Sequence, residues 1–165
     1  MSLAGLDRKL LLFARTHGHA RWAERVIGGY SRTGEHAACW LALGAAGALR
    51  DRDPERRAQW RRGLGIVLGA YGINYAVKLT VRRPRPELPG LPPLTPTVSR
   101  LSFPSAHATT SFAAARAYSR TAPPAALHAA ALAFALSRPY LGVHYPSDVL
   151  GGAVLGTVIG EVWPR

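Results

Sequence analysis

Three short clusters hold the residues of this chain that could do chemistry, and their types point to the handling of a phosphoryl group. The first runs Lys78-Leu79-Thr80-Val81-Arg82-Arg83-Pro84-Arg85-Pro86, the second is Pro104-Ser105-Ala106-His107, and the third sets Ser137-Arg138 ahead of His144 and Asp148. Lys78, Arg85 and Arg138 supply charge and directional donors for phosphate oxygens, arginine as a bidentate fork and lysine as a point charge. Lysine is otherwise nearly absent, with Lys9 the only other one. Ser105 and the free backbone N–H groups of a helix opening after Pro104 add neutral donors. His144 lies four residues before Asp148. The carboxylate can hold one ring nitrogen as N–H and leave the other nucleophilic. His107 is then available as the general acid for a departing alkoxide.

Each residue taken alone has a plainer reading. His107 near a helix start also fits capping, and His144 with Asp148 also fits a structural ion pair with an acidic first-turn residue. Arg82 and Arg83 read as interfacial anchors. A metal site is disfavoured, because two histidines and one aspartate in the clusters make too small a ligand set. No cofactor is expected. The co-occurrence of three clusters is what favours a phosphate site.

The elements that must position these residues are weakly polar segments at 35–49, 63–80, 104–118, 124–136 and 147–163. Each is shorter than, or barely reaches, the roughly 20 residues that span a bilayer. They are rich in Ala and Gly, and small residues let helices approach closely in lipid. A soluble Ala-rich bundle would carry a charged outer stripe, whereas residues 63–77 carry no charge. Between the second and third segments, residues 82–103 hold Pro84, Pro86, Pro89, Pro92, Pro93 and Pro96, which demands irregular backbone. At the N-terminus, Met1 to Phe13 ends in an apolar stretch that Asp7, Arg8 and Lys9 precede and Arg15 closes. It reads as an amphipathic surface helix or a first short span, not a cleaved signal.

With 165 residues the chain fits one domain, residues 1–165, with an N-terminal region at 1–34 and a catalytic core at 63–163. Cys39 is the only cysteine, which excludes an intrachain disulfide and a thiolate cluster. The net charge of +12 is almost wholly arginine and gathers at Arg50, Arg52, Arg56, Arg57, Arg61 and Arg62. Such a balance suits nucleic acid, anionic lipid or a phosphorylated substrate. A nucleic-acid partner is disfavoured, because the run offers only Trp60 as an aromatic.

Excess Arg at 50–62, and again at Arg116 and Arg120 two segments later, reads as the cytoplasmic side. The loops at 82–103 and 138–146 then share the extracytoplasmic face. All three clusters can converge there, in a multi-pass protein of the plasma membrane.

The clusters resemble the three-part signature of the phosphatidic acid phosphatase type 2 superfamily. The pattern K-x6-R-P falls on Lys78 with Arg85-Pro86, P-S-G-H on Pro104 to His107 with Ala106 in place of glycine, and S-R-x5-H-x3-D on Ser137-Arg138, His144 and Asp148. The resemblance implies an all-α integral-membrane bundle of five or six helices. It also implies phosphate binding by Lys78, Arg85, Ser105 and Arg138, with His107 as acid, His144 as nucleophile and Asp148 orienting it. A glycine contact with positive φ would make Ala106 costly. Among family members the chain looks most like small actinobacterial ones thought to act on decaprenyl-phosphoryl-phosphoribose, a precursor of cell-wall arabinan. Undecaprenyl-pyrophosphate, phosphatidic acid and phosphatidylglycerophosphate are the alternative substrates. The vanadium haloperoxidases share the signature, but the membrane segments and short chain argue against that activity.

Overall fold

The computed structural model describes residues 2–163. Met1, at the head of the expected amphipathic stretch, and residues 164–165 lie outside the described residues. Among the described residues there are seven α-helices: α1 (Leu3–Thr16), α2 (Arg21–Thr33), α3 (Ala38–Arg50), α4 (Pro54–Val81), α5 (Ala106–Tyr118), α6 (Pro124–Tyr140) and α7 (Pro146–Val162). A short 3-10 helix, Glu35–Ala37, joins α2 to α3. The five weakly polar segments correspond to α3 through α7. The count exceeds the expected five or six because the N-terminal region folds into two helices, divided near Gly18, which takes a left-handed φ of 72°.

The arginine-rich run 50–62, which lies between two of the weakly polar segments, is mostly helix. Asp53 caps α4 by accepting the Glu55 N–H at 2.9 Å, and Pro54 sits in the first turn. Both are strong start signals, so α4 begins ahead of the apolar stretch and runs 28 residues. By length and composition it is the one helix among the described residues able to cross a bilayer. The remaining helices have 13 to 17 residues.

Apolar side chains nevertheless cover the outside. Leu150, Val154, Val158 and Val162 are exposed at four-residue spacing along α7, as are Leu132 and Leu136 on α6; Leu68 and Leu79 are exposed on α4. On α1 two charged residues face inward beside Leu11. Leu3, Leu6, Leu10 and Phe13 are exposed while Asp7 and Arg15 are buried. An apolar exterior suits hydrocarbon surroundings.

The centre of the bundle is α5, nine of whose residues are buried. On α7, a Cβ added at Gly152 would stand 2.6 Å from the Ser105 carbonyl oxygen, and one at Gly156 2.1 Å from that of Thr109. Backbone contact this close needs glycine. The paired positions advance in the same direction, so α5 and α7 run parallel and both begin at the same end of the bundle. At the other end, Trp60 packs on Tyr118 with ring centroids 5.0 Å apart, in a core shared with Trp40, Val67 and Phe134.

Candidate active site

Four helix ends and two loops build the site. Lys78 ends α4, Ser105 stands just ahead of α5 with His107 in the first turn, Arg138 ends α6, and Asp148 opens α7. Arg85 comes from the proline-rich loop, which is non-helical as expected, and His144 from the loop between α6 and α7. Lys78, Arg85, His107, Arg138 and His144 all line one cavity, together with Glu35, His36, Tyr71, Asn74 and Thr110. Ser105 and Asp148 lie behind it, both fully buried.

His144 is 2% exposed. Arg85 Nη1 stands 3.2 Å from its Nε2. A guanidinium only donates, so Nε2 holds a lone pair and the proton resides on Nδ1. That nitrogen faces Asp148 Oδ2 at 3.5 Å, within ion-pair range but without hydrogen-bond geometry. Burial first, then the facing cations Arg85, Arg138 and Lys78, push the imidazole well below its usual range. The ring is neutral, and its unprotonated Nε2 accepts from Arg85, which must release it before attack.

Asp148 is held from two sides. Its Oδ2 accepts the Tyr145 N–H at 2.8 Å, and its Oδ1 accepts from Arg83 Nη1 at 2.8 Å. Arg83 also donates to Asp7 Oδ2 at 2.8 Å and to Ser147 Oγ at 2.7 Å, while its guanidinium lies 4.2 Å from the Tyr145 ring centroid. The expectation of an interfacial anchor is thus corrected for Arg83. Two buried carboxylates draw it inward, while Arg82 stays exposed at the C-terminus of α4.

The cations spend many of their donors on backbone. Lys78 Nζ donates to the carbonyls of Leu101, Ser102 and Pro104 at 3.1, 3.3 and 3.1 Å. Arg85 donates to the carbonyls of Ser99 and Val143, each at 2.7 Å. Arg138 Nη1 donates to Ser31 Oγ. His107 Nε2 lies 2.9 Å from the Ser31 carbonyl, so this nitrogen carries a proton. Ser105 Oγ, Arg138 Nε and His144 Nδ1 are buried without a hydrogen-bond partner among the described residues. Ala106 is the first residue of α5 and has no positive φ, so its methyl group costs no backbone strain.

The structure brings the expected side chains to one end of the bundle and adds several that sequence reasoning missed. Asp7 and Arg83 secure Asp148, and Ser31 holds both His107 and Arg138. Asp7 carried a faint signal, as an acid beside Leu6 and Leu10 in a short apolar helix. Ser31 carried none.

The chain matches the PAP2 superfamily over residues 60–165. It is 41% identical over 134 residues to the decaprenylphosphoryl-5-phosphoribose phosphatase of Mycobacterium tuberculosis (strain ATCC 25618 / H37Rv), covering 81% of this chain and 75% of that protein. To the protein of the same name from Mycolicibacterium smegmatis it is 46% identical over 123 residues, covering 74% and 67%. The fold superimposes on the PAP2-type transmembrane phosphatidylglycerolphosphate phosphatase of Bacillus subtilis with a TM-score of 0.76 at 23% identity, covering 97% of this chain and 83% of that one. For LpxE of Aquifex aeolicus the TM-score is 0.74 at 20% identity, covering 95% and 93%. With its signature clusters gathered around one cationic cavity, the chain belongs to the PAP2 superfamily, as an all-helical membrane phosphatase.

Proposed function

We propose that the protein hydrolyses the phosphomonoester of a polyprenyl-phosphoryl-5-phosphoribose lipid, at the extracytoplasmic face of the plasma membrane, through a phosphohistidine at His144. The observation that carries the reading is the single cavity that gathers Lys78, Arg85 and Arg138 around His107 and His144. The substrate class follows the two relatives named for that lipid. The side follows from the basic far end of the bundle, where Arg62, Arg116 and Arg120 line a separate pocket.

In the first step His144 Nε2 attacks phosphorus in line, forming the N–P bond as the bond to the sugar oxygen breaks. Asp148 stabilises the imidazolium through Nδ1–H. His107, entering the step as imidazolium, gives the leaving oxygen its Nε2 proton and becomes neutral, which requires its ring to turn away from the Ser31 carbonyl. In the second step water attacks the phosphohistidine, His107 takes its proton, and the N–P bond breaks to release inorganic phosphate. Arg85 and Arg138 meet the charge growing on the equatorial oxygens. Lys78, with its donors on three carbonyls, contributes through its charge.

The test is phosphate release from a panel of prenyl monophosphate, prenyl pyrophosphate, phosphatidic acid, phosphatidylglycerophosphate and prenyl-phosphoryl-5-phosphoribose. The phosphoribose lipid is expected to give the highest kcat/KM, and His144→Ala to release no phosphate from it. Retained turnover in that variant refutes the nucleophile. A higher kcat/KM on another lipid refutes the substrate.

A further inference from the structure

We infer that Glu35, with the His36–Tyr71 pair beside it, forms a hydroxyl-binding subsite that reads the sugar of the substrate by accepting hydrogen bonds from its vicinal diol. The inference rests on the phosphoribose reading of the preceding section and names the part of the chain that makes the selection.

The cavity continues beyond the phosphate cradle to a wall built by the 3-10 helix Glu35–Ala37 and by Tyr71 and Tyr75 of α4. Glu35 is the only acid among the residues lining it, and makes no ion pair among the described residues. It is also within electrostatic reach of Arg138. In a site built for an anion, an uncommitted carboxylate weakens phosphate binding by like-charge repulsion. Its presence is explained if the ligand also brings donors, and neighbouring hydroxyl groups can both donate to one carboxylate.

The wall is held in place at some cost. His36 and Ala37 both take left-handed backbone, with φ of 52° and 61°, a conformation disfavoured for non-glycine residues and retained where surroundings or function demand it. His36 Nδ1 and Tyr71 OH, 2.8 Å apart, fasten the turn to α4. Position agrees as well. A Cβ at Gly34 would stand 3.0 Å from His107 Cδ2 and 2.7 Å from the Phe134 ring, so the turn packs directly on the proposed acid. His107 protonates the sugar oxygen, and because its Cα and Cβ stay fixed in the first turn of α5 when the ring turns, the sugar bonded to that oxygen lies on the side of the cavity shared by Gly34 and Glu35.

The experiment compares kcat/KM of the wild type and Glu35→Gln on two short-chain lipids, prenyl-phosphoryl-5-phosphoribose and its 2,3-dideoxy analogue. The wild type is expected to favour the diol by about tenfold or more, the range for a hydrogen bond to a charged acceptor. Glu35→Gln should bring this ratio toward one. Diol turnover falls because the amide keeps one acceptor oxygen of two and loses the charge, and dideoxy turnover rises as repulsion of the phosphate is relieved. Both rates come from one preparation, so the ratio does not depend on the folded fraction. Good wild-type turnover of both lipids with the same ratio in the variant overturns the subsite alone, as does a wild type indifferent to the diol. A wild type that releases phosphate from neither lipid, while hydrolysing another lipid phosphate, overturns the substrate reading and the subsite with it.

Discussion

Replacing Arg83 with lysine tests whether the orientation of His144 reaches back to the first helix. The Arg83 side chain is 28% exposed, whereas that of Asp148 is fully buried and that of Asp7 is 8% exposed. One guanidinium serves both acids, at 2.8 Å each. Lysine retains the charge but lacks the fork, so at least one carboxylate loses its charge-assisted hydrogen bond. That loss is worth about 1.5–3 kcal/mol, and the low end applies because solvent reaches part of the guanidinium.

The effect on catalysis is separable from the effect on stability. Asp148 Oδ2 and His144 Nδ1 already stand 3.5 Å apart, so the pair has little slack. A misplacement of about 1 Å can cost ~100-fold in rate. Arg83→Lys is therefore expected to lower kcat by about 10- to 100-fold while leaving KM within about twofold, because Arg83 is not among the residues lining the cavity. The assay is phosphate release in detergent micelles, with thermal unfolding followed on the same preparation. A raised KM at constant kcat would mean that Arg83 binds the phosphate itself. An unchanged kcat accompanied by a lower Tm would reduce its role to structural support. Either result refutes the orienting argument.

Two further outcomes follow from the geometry. Gly156→Ala should destabilise the bundle by about 1–3 kcal/mol, the usual cost of overpacking, because the new methyl group would sit 2.1 Å from the Thr109 carbonyl oxygen. Gly72→Ala, with nothing within 4 Å of its added Cβ, is the control, and an equal Tm in the two variants contradicts the packing. The lowered His144 pKa means that the neutral, nucleophilic ring persists as pH falls and is lost only below the ordinary imidazole range. Acylation by diethyl pyrocarbonate, taken as the difference between wild type and His144→Ala without substrate, should therefore continue below about pH 6.5. A half-point at or above that value refutes a neutral resting nucleophile.

How legible the site was depended on how each residue declares itself. Lys78, Arg85, His107, Arg138 and His144 could be read directly because they are polar groups at fixed spacings in weakly polar surroundings. Their convergence followed from counting segments and weighing arginine. The close approach of α7 to a neighbouring helix was foreshadowed by its small residues, Gly152 and Gly156 among them, although no sequence rule says which helix fills the groove they leave. Arg83 was misread because its partners, Asp7 and Asp148, are 76 and 65 residues away, and hydropathy carries no trace of such a contact. Ser31 was invisible for the same reason, since a serine on an amphipathic helix is unremarkable until its neighbours in space are known. Of the two N-terminal helices, α1 was foreseen as an amphipathic or short spanning helix, whereas α2 was not, because its charged residues Arg21, Glu24, Arg25 and Arg32 keep it out of every weakly polar segment.

The proline-rich loop acquires a physical purpose from the distribution of carbonyl groups. Three cations gathered in a low-dielectric bundle need acceptors even without substrate, and a buried charge left unpaired is costly. Helices cannot supply them, because interior carbonyls are already paired within the helix. Residues 82–105 form a stretch largely without secondary structure, and its carbonyls at Ser99, Leu101, Ser102 and Pro104 receive the donors of Arg85 and Lys78. The Arg83 carbonyl in turn accepts the Ser102 N–H at 2.7 Å, holding the two arms of the loop together. Neutral carbonyls solvate the cations without cancelling their charge. An aspartate in the same place would pair with Arg85 and compete with phosphate, as Asp7 and Asp148 both engage Arg83 outside the cavity. The prolines thus keep the segment from becoming a helix, and irregular backbone is what allows a membrane bundle to hold an anion site open.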